Sequence, residues 1–156
     1  MGHEVRERIV SLLRENGVSF RELHHEPTRT SEESARVRGE ELKNGGKAIV
    51  LKVENTFKLF VLSAARKLDS SRVKAHFKVK RLRFATEAEL LNLTGLVPGS
   101  IPPFGRPIFD IDLFVDISIM ENDRIAFNAG SLTDSIIMSV RDYTKLARPE
   151  VFAFST

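Results

Sequence analysis

Two short segments hold the residues best placed for chemistry. Gly45-Gly46-Lys47-Ala48-Ile49-Val50-Leu51-Lys52 puts one lysine at the mouth of an apolar run that reads as a buried strand. Pro98-Gly99-Ser100-Ile101-Pro102-Pro103-Phe104-Gly105 reads as a loop in which glycine admits a ligand close to the backbone and proline holds the shape. A fixed ammonium beside a stiff backbone-lined loop suits a small polar ligand attached to a phosphate, since an ammonium is a compact point charge. Two readings of Lys47 stand side by side: an anchor for such a ligand, or a strand-end lysine reaching solvent.

The usual catalytic constellations are missing. With no cysteine in the chain, disulfides and thiolate chemistry are excluded, and a cytoplasmic location is expected. The four histidines His3, His24, His25 and His76 show no metal-ligand spacing, and His-Glu-x-x-His does not occur, so neither metal nor cofactor is expected. Gly-x-Ser-x-Gly and Gly-x-Gly-x-x-Gly are absent. Gly45-Gly46-Lys47-Ala48 lacks both the earlier glycine and the Ser/Thr of a phosphate-binding loop. No apolar run approaches the ~18 residues of a membrane helix, and no signal peptide is read at the start.

Charge is uneven along the chain. The net charge is only +3, yet Arg66, Lys67, Arg72, Lys74, Lys78, Lys80, Arg81 and Arg83 fall within 18 residues against the single anion Asp69. Such a stretch is either a docking face for a polyanion or a solvated helix face with a charged edge strand.

The elements that must position these residues follow from pattern. The 156 residues suit one domain, 1–156, with apolar and charged fractions of 42% and 29% typical of a globular protein. Val5, Ile9, Leu12 and Leu13 share one face of a first helix that Gly17 ends. A strand over 18–25 stops at Pro27, and Thr30 with Glu33 opens a second helix to about Arg38. Residues 47–53 and 57–63 read as central strands joined by a hairpin at 54–56. A basic helix capped by Asp69 or Ser70 runs to about Phe77, and a strand covers 82–84. A helix with the Thr86/Glu89 capping pattern then ends at Gly95. The proline-rich stretch 96–107 is loop; strands follow at 111–115, 124–128, 135–140 and 150–154, with a helix at 142–147. Strands and helices mix without βαβ alternation, which predicts an α+β domain with a mixed, mostly antiparallel sheet surrounded by helices, its strand order open.

One ordered set of residues runs through nearly the whole chain. It comprises His25-Glu26-Pro27-Thr28-x-Thr30, Ala35, Lys47, Leu68-Asp69, Leu82-x-x-Ala85-Thr86-x-x-Glu89-Leu90, Thr94-Gly95, Gly99-x-x-x-Pro103 and Ala129-Gly130. In this order and spacing the chain resembles the YbaK/ProX family of aminoacyl-tRNA editing domains. The resemblance implies a compact mixed α/β domain that hydrolyses the ester of a mischarged tRNA, often tRNA-Pro, without a metal. It also implies a relation to prolyl-tRNA synthetase, with a synthetase of that kind as the expected partner beside mischarged tRNA, and the length is similar to that of the free-standing, trans-acting members.

Residue roles come with the resemblance. Lys47 matches the family lysine, implying that it holds the terminal phosphate or ribose. Gly99 to Pro103 matches the segment lining the aminoacyl pocket, so Gly99, Ser100, Ile101, Pro102 and Pro103 become pocket and oxyanion candidates. Thr30, Asn128, Gly130 and Ser135 are further substrate-binding candidates, each with a plain structural alternative: helix cap, turn asparagine, turn glycine, strand serine. His25 reads more naturally as a structural histidine than as a base. Arg72, Lys74, Lys78, Lys80 and Arg81 become the candidate tRNA-docking surface. Two departures stand out. Ala48 offers no hydrogen bond where many relatives carry Thr or Asn, and Pro102 replaces a hydroxyl residue. They leave alanine, serine, threonine and cysteine all open as the cleared amino acid, and keep a non-catalytic module binding tRNA ends or a synthetase as the alternative.

Overall fold

The hairpin anticipated at residues 54–56 forms the centre of the molecule. In the computed structural model, which describes residues 2–156, β2 (Gly46–Val53) and β3 (Thr56–Ser63) pair antiparallel from Gly46↔Ser63 to Val53↔Thr56. Edge strand β4 (Leu82–Phe84) adds to β2. On the other side β5 (Asp112–Asp116) pairs parallel with β3, and β8 (Glu150–Phe152) pairs parallel with β5. The order of this sheet is β4-β2-β3-β5-β8.

A second, antiparallel sheet has the order β1-β7-β6, from β1 (Phe20–His24), β7 (Asp134–Ser139) and β6 (Arg124–Asn128). The two sheets touch where Gly45 bridges Ala126. The close approach is built on missing side chains. A Cβ on Gly46 would lie 2.7 Å from Cδ1 of Ile125.

Among the described residues six α-helices surround the sheets. Helix α1 (Gly2–Glu15) buries Val5, Ile9, Val10 and Leu13, packing into a core shared with Phe104, Phe127 and Tyr143. Helix α2 (Ser31–Arg38) is capped by Thr30, whose hydroxyl accepts the Glu33 N–H, and closes at Gly39 in the left-handed region. Asp69 caps α3 (Ser70–Phe77), and α4 (Glu87–Thr94) carries a complete capping box between Thr86 and Glu89. Two short pieces escape the sequence pattern: a 3₁₀ turn at Leu42–Asn44 and α5 (Ile117–Met120). Helix α6 runs Val140–Ala147. No described helix is long and apolar enough to cross a membrane.

The outer face of the large sheet has its own aromatic core. Phe60, Phe77, Phe114, Phe152 and Phe154 pack in stacked and edge-to-face pairs. The C-terminal segment is held there by Asp116, fully buried, which accepts hydrogen bonds from Ser118 N–H, Phe154 N–H and Ser155 O–H at 3.0, 2.6 and 2.6 Å. Burial alone would raise its pKa, but these donors outweigh it and hold the carboxyl below the usual range.

Candidate functional site

A cleft of about 380 Å³ opens where the small sheet, the mouth of β2, α2 and the proline-rich loop meet. Of the residues singled out from sequence, Lys47, Thr30, Gly99, Ile101 and Asn128 line it together. Ala48 is in the wall as well, and contributes a methyl group rather than a hydrogen-bonding group.

The other candidates stand apart from the opening. Ser100 is buried, its hydroxyl donating to the Val97 carbonyl. Pro102 and Pro103 are buried, and the Pro103 carbonyl accepts from the Tyr143 hydroxyl. These prolines brace the loop from behind. Gly130 has φ of +95°, and a Cβ there would sit 2.7 Å from the Gly2 carbonyl oxygen and 3.3 Å from Val5 Cβ. Its close approach is thus to α1, not to the cleft. Ser135 is fully buried beneath the cleft, and His25 reaches it from the other side, with 2.8 Å from Nε2 to Ser135 Oγ.

Arg38 is the residue the sequence reading missed. It is 7% exposed and lines the cleft from the last turn of α2. Its Nε donates to Ser135 Oγ at 2.9 Å and its Nη2 to Asn128 Oδ1 at 3.0 Å. Asn128 Nδ2 in turn donates to the Gly99 carbonyl at 2.6 Å. A continuous chain of hydrogen bonds thus runs from the floor of the cleft to the loop that rims it. Burial pushes the Arg38 pKa down to about 10, with the charge of Glu40 opposing, so the group stays cationic at neutral pH. The signal for it lay in the spacing Ser31, Ser34, Arg38, a polar stripe on one face of a helix.

Three cations line the cleft, Arg29, Arg38 and Lys47, and no carboxylate does. Among the described residues none of the three makes an ion pair within 4.0 Å. Low-dielectric walls around uncompensated positive charge make a seat for an anion. The rim adds neutral donors. Ser100 N–H is engaged with the Val97 carbonyl, whereas the N–H groups of Gly99 and Ile101 have no acceptor among the described residues. Pro102 and Pro103 have no N–H to offer, so within Gly99–Pro103 the unengaged amides are those of Gly99 and Ile101. No group of three or more His, Asp or Glu that could hold a metal ion occurs among the described residues.

The basic stretch lies elsewhere. Lys80 and Arg81 sit by the β2–β3 turn, where Glu54 accepts from Lys80 N–H and Arg81 Nε, and Lys78 closes α3 just before them. That turn is the far end of β2 from Lys47, six residues away, or about 20 Å at ~3.3 Å per residue. Arg72 pairs with Asp69 and Arg81 with Glu54, while Lys74, Lys78 and Lys80 make no ion pair among the described residues.

Residues 25–146 match the model of the aminoacyl-tRNA editing domain. The chain is 37% identical to the multifunctional Ser/Thr-tRNA deacylase ProXp-y of Escherichia coli K12, over 98% of this chain and 94% of that protein. It is 32% identical to the proline–tRNA ligase of Shouchella clausii across 65% of this chain, which amounts to 18% of the ligase. In fold it is similar to a crystal structure of a proposed trans-editing enzyme for prolyl-tRNA synthetase, with TM-score 0.84, 22% identity and 97% of each chain covered. The chain belongs to the aminoacyl-tRNA editing domain family.

Proposed function

We propose that this protein is a trans-acting deacylase that hydrolyses the ester of a tRNA mischarged with a small amino acid, serine and threonine foremost, with tRNA-Pro as the first acceptor to test and the cytoplasm as its place of work. The observation that carries the reading is the cleft itself, where an unpaired ammonium and two unengaged amides meet without a carboxylate. Serine and threonine enter from the activity for which the E. coli relative is named, and tRNA-Pro from the match to a proline–tRNA ligase.

The chemistry asks little of side chains. An aminoacyl ester is already activated, and the vicinal ribose hydroxyl can assist. Lys47 holds the terminal phosphate or ribose and so fixes the ester against the loop. Water attacks the carbonyl carbon, the Gly99 and Ile101 amides receive the charge on its oxygen, and the bond to the ribose oxygen breaks as that oxygen takes up a proton. The products are the free amino acid and an uncharged tRNA end. The basic face around Lys74, Lys78 and Lys80 would receive the tRNA body.

A panel of tRNAs charged with Ala, Ser, Thr and Cys tests the proposal by ester loss. Lys47→Ala should lower kcat/KM about 10- to 100-fold, the weight of one charge-assisted contact. Parent and variant hydrolysing at equal rates would remove Lys47 from the mechanism. Ala48 in the cleft wall favours the second reading, a module that binds tRNA ends or a synthetase without hydrolysis, and binding without turnover of any ester would establish it.

A further inference from the structure

Surface helices ordinarily bury an apolar stripe, and α2 does the reverse. Its buried residues are Ser34 and Arg38, while Val37 on the same helix is 38% exposed. Ser31, Ser34 and Arg38 share one face, and all three line the cleft. Thr28, 3% exposed, lies beside them.

The donors on this wall outnumber their acceptors. Thr28 Oγ1 and Ser34 Oγ share a single hydrogen bond of 2.8 Å. Two hydroxyl protons thus serve one contact, and the second has no acceptor among the described residues. Arg38 has five N–H groups. Its contacts are to Ser135, Asn128 and, at 3.5 Å, the Ala126 carbonyl, so two N–H groups remain free on a side chain that is nearly all buried. Burying polar groups with unmet capacity is costly unless a ligand completes them.

We infer that the wall formed by Thr28, Ser34 and Arg38 is a side-chain subsite that selects esters of β-hydroxy amino acids over alanine. This rests on the deacylase reading and deepens it. A ligand hydroxyl entering there accepts the spare O–H or a guanidinium N–H and donates to a hydroxyl lone pair. A methyl group does neither, and displaces water from groups that still need it. Sites built to hydrogen-bond a substrate hydroxyl reject analogues lacking it far better than apolar pockets reject an extra methylene.

The test is the ratio of kcat/KM for seryl- and alanyl-tRNA, measured on one preparation at a time so that any loss of folded protein cancels. The parent should favour serine. Thr28→Val and Ser34→Ala should each lower the Ser/Ala ratio about tenfold, one hydrogen bond's worth, and Thr28→Ser, which keeps the hydroxyl, should hold it. A parent without preference, or variants with an unchanged ratio, would overturn the assignment. Binding of non-hydrolysable 3′-amide analogues, seryl- against alanyl-aminoadenosine, gives a second reading that needs no turnover. Tighter seryl binding lost in Ser34→Ala supports the subsite even if no ester is cleaved, in which case only the deacylase reading fails. Equal binding of the two amides refutes the subsite whatever the turnover.

Discussion

Asn128 offers the sharpest test of how the cleft is built. It joins the buried Arg38 guanidinium to the rim, accepting from Nη2 at 3.0 Å and donating to the Gly99 carbonyl at 2.6 Å. One neighbour is a pure donor and the other a pure acceptor, which fixes the orientation of the amide. Asn128→Ala removes both contacts. Gly99 is exposed, so its carbonyl turns to water at little cost. Arg38, only 7% exposed, reaches far less water, and an N–H left unmet costs about 1–3 kcal/mol. For a chain of this size that lowers Tm by roughly 2–12 °C. The kinetic effect is separate. The Gly99 amide carries the proposed oxyanion contact, and a displacement of about 1 Å costs on the order of 10²-fold in rate. Asn128→Asp divides the two effects, because a carboxylate still accepts from Arg38 but meets the Gly99 carbonyl with no donor. Thermal melts and single-turnover deacylation should therefore show Ala losing both stability and rate, and Asp losing mainly rate. If the Asp variant deacylates like the parent, or if rate follows Tm across both variants, the loop is not positioned through Asn128.

Further outcomes follow from features away from the rim. Asp116→Asn places an amide where three donors converge; it should cost about 2–4 kcal/mol at pH 7 by denaturant unfolding, since one of those donors then faces another. The folded-state pKa of Asp116 is lowered, so its contribution is full above the ordinary carboxylate pKa and fades as pH falls through the folded value. The gap between parent and variant should therefore narrow in acid, and a gap constant from pH 7 to pH 3 would contradict the assignment. Replacing Lys74, Lys78 and Lys80 together by Gln should weaken tRNA binding and flatten the plot of log K against log salt, as fewer counterions are released. An unchanged slope moves the docking face elsewhere.

Local signals were readable in the sequence because each is a short-range physical rule. Thr86 and Glu89 satisfy one another's backbone groups wherever a helix starts, and the α4 capping box is present as read. The β2–β3 hairpin follows from two apolar runs with a turn between them. What stayed hidden depends on distant partners. Nothing local tells β3 to pair in parallel with β5, or β1 to cross to β7, and so the division into two sheets was not legible. The site shows the same split. Lys47 and Gly99 announce themselves by type and neighbours, and the cleft brings both together. Pro103 and Gly130 carry the same sort of signature, yet one braces the loop through Tyr143 and the other receives α1. A glycine marks close approach without naming what approaches. Arg38 escaped notice because cationic residues in a last helical turn are usual for the helix dipole, and only burial distinguishes this one.

The bare backbone at Gly46 gives the enzyme a spacer of zero thickness between its two halves. Because Ile125 already fills the room a methyl would need, even alanine at that position obliges this fully buried side chain to shift against its neighbours. The shape of the chamber along this wall thus depends on a lining residue that contributes no side chain of its own.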